Sequence, residues 1–344
     1  MNLLQKTGCL ALGFVAALSA APAHAQSDYS DIVVFGDSLS DVGNTHNDGF
    51  ISFFSPVAEP PYFDGRFSNG PVWAELLAND LGLNASNYSD NGGNNYAAGG
   101  ALAGDGTNFL GFIDNVGEQI ENYLGANTPS ASDLFLLWGG GNDFIEIGGS
   151  LGSLFSGGGS PQGVANDITG YIEEIADAGG TNFLVLNMPD LGAIPRYAGT
   201  GQQQDLTNTA TTFNNILAAQ VDTLNTQRDI DIDLLDIQSL FDQMLTDPTR
   251  YGFTNTADAA YNEDTGSVAN DADTYVFWDE IHPTALAHEW IATAAFVQLQ
   301  VEGDFTGDGF VGLADLELLP ANWGNPVTPF DLAHGDWTGD GSVD

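Results

Sequence analysis

Short apolar runs rich in β-branched and aromatic residues alternate along this chain with longer segments whose apolar residues recur every three or four positions. The short runs predict buried strands at residues 31–35, just before Asn94, and at 134–138, 183–186 and 230–237. Strands that alternate with helices build a parallel sheet covered on both faces. The pattern therefore predicts an α/β fold with a five-stranded parallel sheet.

Helical spacing of apolar residues predicts helices between and after these strands. They begin at Pro71, near Val116, at Ser160-Pro161, near Leu206 and at Thr284, and the last extends to Gln300. Two segments lack periodicity, the Phe- and Pro-rich residues 49–70 and the glycine-dense residues 147–159. We expect both to be loops, the second one mobile and near the substrate.

The first 25 residues have the pattern of a secretory signal peptide. Lys6 precedes a short apolar region, and the small-residue site Ala23-His24-Ala25 follows it. The only cysteine, Cys9, lies inside this segment, so the mature protein is expected to have no disulfide. No later apolar run is long enough to span a bilayer. We therefore expect a secreted protein, extracellular or associated with the cell surface.

The chain is strongly acidic, with 47 Asp and Glu residues against 5 Lys and Arg residues and a formal net charge of −42. This charge excludes nucleic acid and anionic membrane surfaces as partners, because both would be repelled. Salt would relieve the self-repulsion, so a saline habitat is one explanation of the bias. A simple gain in solubility is the other.

Ser38 is the first candidate for chemistry. It follows the first strand and Gly36, which places its hydroxyl at the carboxyl end of a parallel sheet, the edge where ligands bind. An isolated Gly-Asp-Ser more often caps a helix or forms a turn, however. A nucleophilic serine needs a base, an acid that orients this base, and donors for the oxyanion. Among the histidines, His282 follows a carboxylate, Asp279, by three residues in a loop after an aromatic-rich segment. An ordinary loop histidine with an acidic neighbour would give the same pattern.

Four blocks resemble, in order, those of the GDSL or SGNH esterases and lipases: FGDSLSDVGN, NYAAGG, GGGNDF and FWDEIHPT. The resemblance covers residues 31–300, and PPYFDGRFSNGPVW and LNMPDLGAIPR are similar to an exported lipase/phospholipase branch. It implies a flavodoxin-like three-layer α/β/α sandwich, the SGNH hydrolase fold, and no cofactor for catalysis. It also implies Ser38 as nucleophile, His282 as base, Asp279 as its orienting acid, and an oxyanion hole formed by Ser38, Gly100 and Asn142. The cysteine pair that this branch often carries after the fifth strand is missing.

The last part of the chain differs in character. Two acidic loops lie there, 32 residues apart. The first places oxygen-bearing side chains at positions 1, 3, 5 and 12 and glycine at position 6, the spacing of an EF-hand-like calcium loop, and the second repeats its beginning. The residues at ligand positions are Asp304, Thr306, Asp308, Phe310 and Asp315 in the first loop and Asp336, Thr338 and Asp340 in the second. The segment resembles a dockerin repeat, which implies Ca²⁺ and a cohesin-like partner, although Thr at position 3 and the missing end of the second loop depart from that pattern. A solvated acidic tail is the alternative.

These features predict a signal peptide at 1–25, a hydrolase domain at 26–301 and a dockerin-like segment at 302–344. They favour a secreted serine carboxylic-ester hydrolase that forms an acyl-serine and acts on short- to medium-chain acyl esters or lipids. Acetylated polysaccharide as substrate, acyl transfer to an alcohol, and a non-catalytic calcium-dependent surface protein are the alternatives.

Overall fold

The computed structural model describes residues 29–47, 60–83, 87–108, 111–145, 158–300, 323–324, 326–334, 336 and 338–343. The signal-peptide segment, most of the two predicted loops and the first calcium-like loop lie outside these ranges. Residues 60–70 form turns and bends, in agreement with the prediction of a loop there.

Strands and helices alternate through the described part of the chain. The strands are β1 (Asp31–Gly36), β2 (Thr107–Asn108), β3 (Ile113–Asp114), β4 (Asp133–Trp138), β5 (Asn182–Leu186), β6 (Asp231–Leu235), β7 (Asn255–Ala259), β8 (Tyr261–Asn262), β9 (Ser267–Val268) and β10 (Tyr275–Phe277). The α-helices are α1 (Asn44–Asn47), α2 (Trp73–Asp80), α3 (Val116–Ala126), α4 (Pro161–Asp177), α5 (Gln203–Gln227), α6 (Ile237–Thr246) and α7 (Ala285–Gln298).

A parallel sheet in the order β1-β4-β5-β6 forms the centre of the fold. Each strand of this sheet lies on the same side of the one before it, and α3, α4 and α5 precede β4, β5 and β6 in turn. Because crossovers between parallel strands are right-handed, these three helices lie on one face of the sheet. The other face belongs to α2, which packs against α7. Strands β1, β4 and β5 are buried as nearly continuous apolar runs, as expected of a sheet covered on both sides.

The predicted count of five strands in this sheet is wrong, because four are present in the described residues. The expected second strand shrinks to a bridge at Asn95, where Val34 donates its N–H to Asn94 and accepts one from Tyr96. The preceding residues form a turn in which Gly92 has a φ of +72°. A Gly- and Asn-rich segment has little tendency to extend as a strand, which explains the loss.

The helix boundaries follow local capping chemistry. Ser160 accepts a hydrogen bond from the N–H of Gly163 and Pro161 is the first residue of α4, as predicted. The helix predicted from Pro71 begins instead at Trp73, because the N–H of Val72 is bonded by the side chain of Glu75. No helix in the described ranges is long and apolar enough to cross a membrane.

Candidate active site

Ser38 lies just beyond β1, at the carboxyl end of the sheet. Strand β1 runs so close to β4 at Gly36 that a Cβ there would lie 2.2 Å from the carbonyl oxygen of Trp138, so only glycine fits. The chain then turns, and the N–H of Leu39 bonds to the carboxylate of Asp37 at 3.0 Å. This turn leaves Ser38 largely buried, with 8% of its surface exposed.

A continuous series of hydrogen bonds connects Ser38 to His282 and Asp279. Nε2 of His282 lies 2.9 Å from Oγ of Ser38, and Nδ1 of the same ring lies 2.7 Å from Oδ2 of Asp279. Oδ1 of Asp279 accepts the backbone N–H groups of Ile281 and His282 at 2.8 and 2.7 Å. The loop after β10 thus holds the carboxylate and the imidazole in one tight turn.

The charge state of Asp279 suits an orienting acid. Its carboxyl group is buried, which by itself raises the pKa, but the nearby His282 and the backbone N–H groups lower it further than burial raises it. The net pKa lies below the ordinary value, so Asp279 is ionised. An ionised Asp279 favours the tautomer of His282 with its proton on Nδ1, and Nε2 can then accept the Ser38 proton.

The three expected oxyanion donors also lie at this edge of the sheet. Within the described residues, the backbone N–H groups of Ser38 and Gly100 have no hydrogen-bond acceptor. The neighbouring Gly99 is not available as the oxyanion donor in place of Gly100, because its N–H already bonds Asp41 at 2.9 Å and Thr45 at 2.6 Å. Gly100 has a φ of +85°, a conformation that glycine adopts readily.

Asn142 reaches the same position from β4. It lies in the short 3₁₀ helix Gly141–Asp143 that follows the strand, and its Nδ2 donates to the carbonyl of Ala101 at 2.9 Å. An amide carries two N–H groups, so this bond fixes the side chain and leaves one donor for a ligand.

Asp41 was not singled out from the sequence, yet it joins two of the blocks. One of its carboxylate oxygens accepts the N–H groups of Gly43 and Asn44, and the other accepts those of Gly99 and Thr45. Burial raises its pKa, although these bonds favour its ionised form. The spacing GDSLSD gave no indication of this role, because its partner Gly99 is distant in the sequence.

An apolar pocket opens beside Ser38 and Asn142. Its empty space of about 580 Å³ includes a part that is open to solvent. The residues that form its apolar wall include Ile145, Met188, Leu191, Ile194, Phe241 and Phe277. The sequence pattern did not identify this set, since its members come from separate elements.

Two carboxyl groups are buried at this edge of the sheet, and one of them, Asp37, lines the pocket. Burial raises the pKa of Asp37 to about 6, and the nearby Asp143 adds to the effect. Burial also raises the pKa of Asp143 to about 6, although the N–H of Ala103 bonds its carboxylate. Both groups therefore gain protons in mildly acidic solution.

The other described histidines lie apart from this hydrogen-bond series. His288 is buried in α7, where its Nδ1 accepts the N–H of Trp73, and burial lowers its pKa to about 3, so it stays neutral. His334 lies in the last part of the chain and contacts Asp331 at 2.7 Å. His46 lies in α1.

The calcium prediction finds no support within the described residues. Asp304, Thr306, Asp308, Phe310 and Asp315 lie outside the described residues. In the second loop, the carboxylate of Asp336 is occupied by the backbone N–H groups of Gly339, Gly341 and Phe330.

The other two candidate ligands of this loop make similar local bonds. Thr338 bonds to Asp336, and Asp340 accepts the N–H of Ser342. Across the described ranges, no group of three or more acidic, His or Cys side chains could hold a metal ion. Binding of Ca²⁺ by this second loop therefore stays a prediction.

Comparison with known proteins places this geometry in context. The model of the family described as "GDSL-like Lipase/Acylhydrolase" matches residues 32–295. The chain is 27% identical to the phosphatidylcholine-sterol acyltransferase of Aeromonas hydrophila, over 86% of this chain and 97% of that protein. It is 30% identical to the thermolabile hemolysin of Vibrio parahaemolyticus, over 76% of this chain and 62% of that protein. A solved mutant of an acetylxylan esterase from Geobacillus stearothermophilus aligns at 12% identity and a TM-score of 0.42, over 80% of this chain and 97% of that one.

Proposed function

The chain belongs to the family of GDSL-like lipases and acylhydrolases, which are carboxylic ester hydrolases, and on that premise we propose that Ser38 is the nucleophile that takes the acyl group. The observation that carries this proposal is the unbroken series of hydrogen bonds from Ser38 through His282 to Asp279. A serine in contact with an oriented imidazole is the arrangement that acyl transfer requires.

The reaction follows from these contacts. Nε2 of His282 takes the proton of Ser38 as Oγ attacks the ester carbonyl, and the imidazolium is stabilised by Asp279. When the tetrahedral intermediate collapses, the C–O bond to the alcohol breaks and Nε2 gives its proton to the leaving oxygen. A water molecule, activated in the same way by His282, then cleaves the acyl-serine and releases the acid.

The oxyanion of each intermediate needs donors that are already in place. The N–H groups of Ser38 and Gly100, which have no acceptor in the described part of the chain, and the second N–H of the Asn142 amide supply them. Such fixed donors stabilise developing charge without having to reorganise during the reaction.

The substrate we propose is an ester with an apolar acyl group, because the pocket beside Ser38 has an aliphatic and aromatic wall. Burial of each methylene of an acyl chain contributes about 0.8 kcal/mol. We therefore expect kcat/KM to rise with chain length from acetyl until the pocket is filled, and then to fall.

Hydrolysis of p-nitrophenyl esters of increasing chain length tests the proposal. Ser38→Ala should abolish hydrolysis. Ser40→Ala, two residues further on, is the matched control, since its buried hydroxyl bonds Trp73 rather than His282. Ester hydrolysis that survives in Ser38→Ala would refute the assignment, and a preference for acetyl over longer chains would refute the choice of substrate.

Acyl transfer to an alcohol is the second candidate activity. It is supported by the Aeromonas relative, which is named an acyltransferase and aligns over 97% of its length. An alcohol acceptor would replace water in the second half of the reaction. Formation of a new ester when a sterol or a short alcohol is added to the assay would establish transfer, and free acid as the only product would exclude it.

We propose further that the protein is exported, on the strength of the charge and apolar pattern of residues 1–25. The acidic segment 302–344, which follows the hydrolase domain at 26–301, is proposed as a docking segment. Recovery of the enzyme from the culture medium, cleaved after Ala25, tests the first point. Loss of pull-down by a cohesin-like protein when residues 302–344 are removed tests the second.

A further inference from the structure

Tyr62 makes a direct contact with the acid of the catalytic series. Its hydroxyl oxygen lies 2.8 Å from Oδ2 of Asp279, the same oxygen that Nδ1 of His282 contacts. It also lies 3.0 Å from Oε1 of Glu263, an exposed carboxylate on the turn between β8 and β9. Tyr62 therefore connects Asp279 to a surface acid that does not belong to the series.

An aromatic cluster fixes the position of this hydroxyl. The ring of Tyr62 packs edge-on against Tyr261 at 5.6 Å and against Trp278 at 6.1 Å, and the latter two rings stack on each other. Tyr62 and Trp278 are both buried. Removing the hydroxyl alone, as in phenylalanine, would leave these ring contacts in place.

One proton cannot serve both carboxylates. A phenol has a single O–H, so Tyr62 donates either to Asp279 or to Glu263 at any moment. Tyr62 donates to Asp279 without competition only when Glu263 carries a proton of its own. Glu263 then donates a hydrogen bond to the phenol oxygen instead of accepting one. An ionised Glu263 attracts the phenol proton away from the catalytic acid.

We propose that Tyr62 is a positioning residue that tunes Asp279 by donating its hydroxyl proton to Oδ2, and that Glu263 modulates this donation. The inference rests on the proposed roles of Ser38, His282 and Asp279. A donated hydrogen bond spreads the negative charge of Asp279 and weakens its hold on the His282 proton. Without this hydrogen bond, Asp279 holds that proton more strongly. As the pH is lowered, His282 is then protonated sooner, so it stops acting as a base at a higher pH than in the parent.

Other titratable groups surround the series of Ser38, His282 and Asp279. His282 contacts Ser38 and Asp279 directly, and it interacts electrostatically with the buried Asp37 and with His288. The acidic groups that face Tyr62 are Asp279 and Glu263, and they raise its pKa in addition to the larger effect of burial. Tyr62 therefore keeps its proton and remains a donor.

Tyr62→Phe is the decisive variant, and the readout is the acid limb of kcat/KM for p-nitrophenyl butyrate. We expect this limb to move to higher pH, because the loss of a hydrogen bond that favours the ionised carboxylate strengthens the hold of Asp279 on the His282 proton. KM should stay unchanged, since Tyr62 does not line the apolar pocket. A folded variant whose activity falls while the acid limb stays in place would overturn the inference.

Glu263→Gln provides an independent measurement on the surface. The amide of glutamine donates an N–H to the phenol oxygen, which directs the Tyr62 proton onto Asp279, so the acid limb should move to lower pH. Shifts of opposite sign in the two variants cannot arise from general damage to the fold. An upward or absent shift in Glu263→Gln would overturn the role of Glu263.

Tyr261→Phe is the matched control. Tyr261 packs on the same rings, and within the described residues its hydroxyl makes no hydrogen bond, so its acid limb should coincide with that of the parent. A shift in Tyr261→Phe equal to that in Tyr62→Phe would overturn the inference. The proposed function fails separately, if Ser38→Ala retains hydrolysis, whatever the acid limbs show.

Discussion

Asn142→Ala removes a side chain that has two separable tasks. The amide of Asn142 is 7% exposed, and its bond to the carbonyl of Ala101 uses one of its two N–H groups. Loss of the second N–H removes an oxyanion donor, which costs roughly 3 kcal/mol of transition-state stabilisation, or about 10²–10³ in kcat. Loss of the first leaves the Ala101 carbonyl without its partner, which lowers the free energy of unfolding by about 1–3 kcal/mol.

The two losses are measured in separate experiments, steady-state hydrolysis of p-nitrophenyl esters and urea unfolding. KM should change little, because the donor acts on charge that develops in the transition state. Asn187→Ala is the matched control, a second asparagine that is 7% exposed and follows a strand of the same sheet but bonds Asp236 and the N–H of Gln238. It should lose stability and keep its kcat. Equal kcat values for Asn142→Ala and the parent would remove Asn142 from the mechanism.

Further predictions concern pH, salt and metal. Because the folded-state pKa of Asp37 is raised from 3.8 to about 6, the folded state binds the extra proton, and stability falls as the pH rises between these values. Asp37→Asn should flatten that fall by up to about 3 kcal/mol in urea unfolding followed across this range, and an unchanged slope would contradict the argument. The net charge of −42 predicts that the melting temperature rises with added NaCl, and a melting temperature independent of salt would point away from self-repulsion and a saline habitat. A calcium chelator should leave kcat unchanged, since catalysis is assigned to Ser38, His282 and Asp279; activity lost on chelation and restored by Ca²⁺ would contradict this.

The sequence predicted those parts of the fold that depend on local patterns. Buried strands such as β4 and β5 were found because an apolar run is a property of neighbouring residues. The helix start at Pro161 was found because Ser160 caps it within one turn. The prediction of a strand before Asn94 was wrong because this element depends on contacts between distant residues. Its pairing with Val34 depends on a turn of glycine and asparagine that brings the chain beside β1 for the length of a single bridge.

In the candidate site, too, the features set by neighbouring residues could be predicted and those set by distant contacts could not. Ser38 and Asn142 could be placed at the sheet edge because each follows a predicted strand, and Asp279 could be paired with His282 because one turn joins them. That His282 bonds Ser38, 244 positions away, followed from a family resemblance rather than from any pattern in the residues themselves. Tyr62 bonds Asp279 from 217 positions away, and nothing in its own segment indicated this contact. A strand end fixes where a side chain stands, whereas the charge that the side chain carries depends on neighbours that only the folded chain brings together.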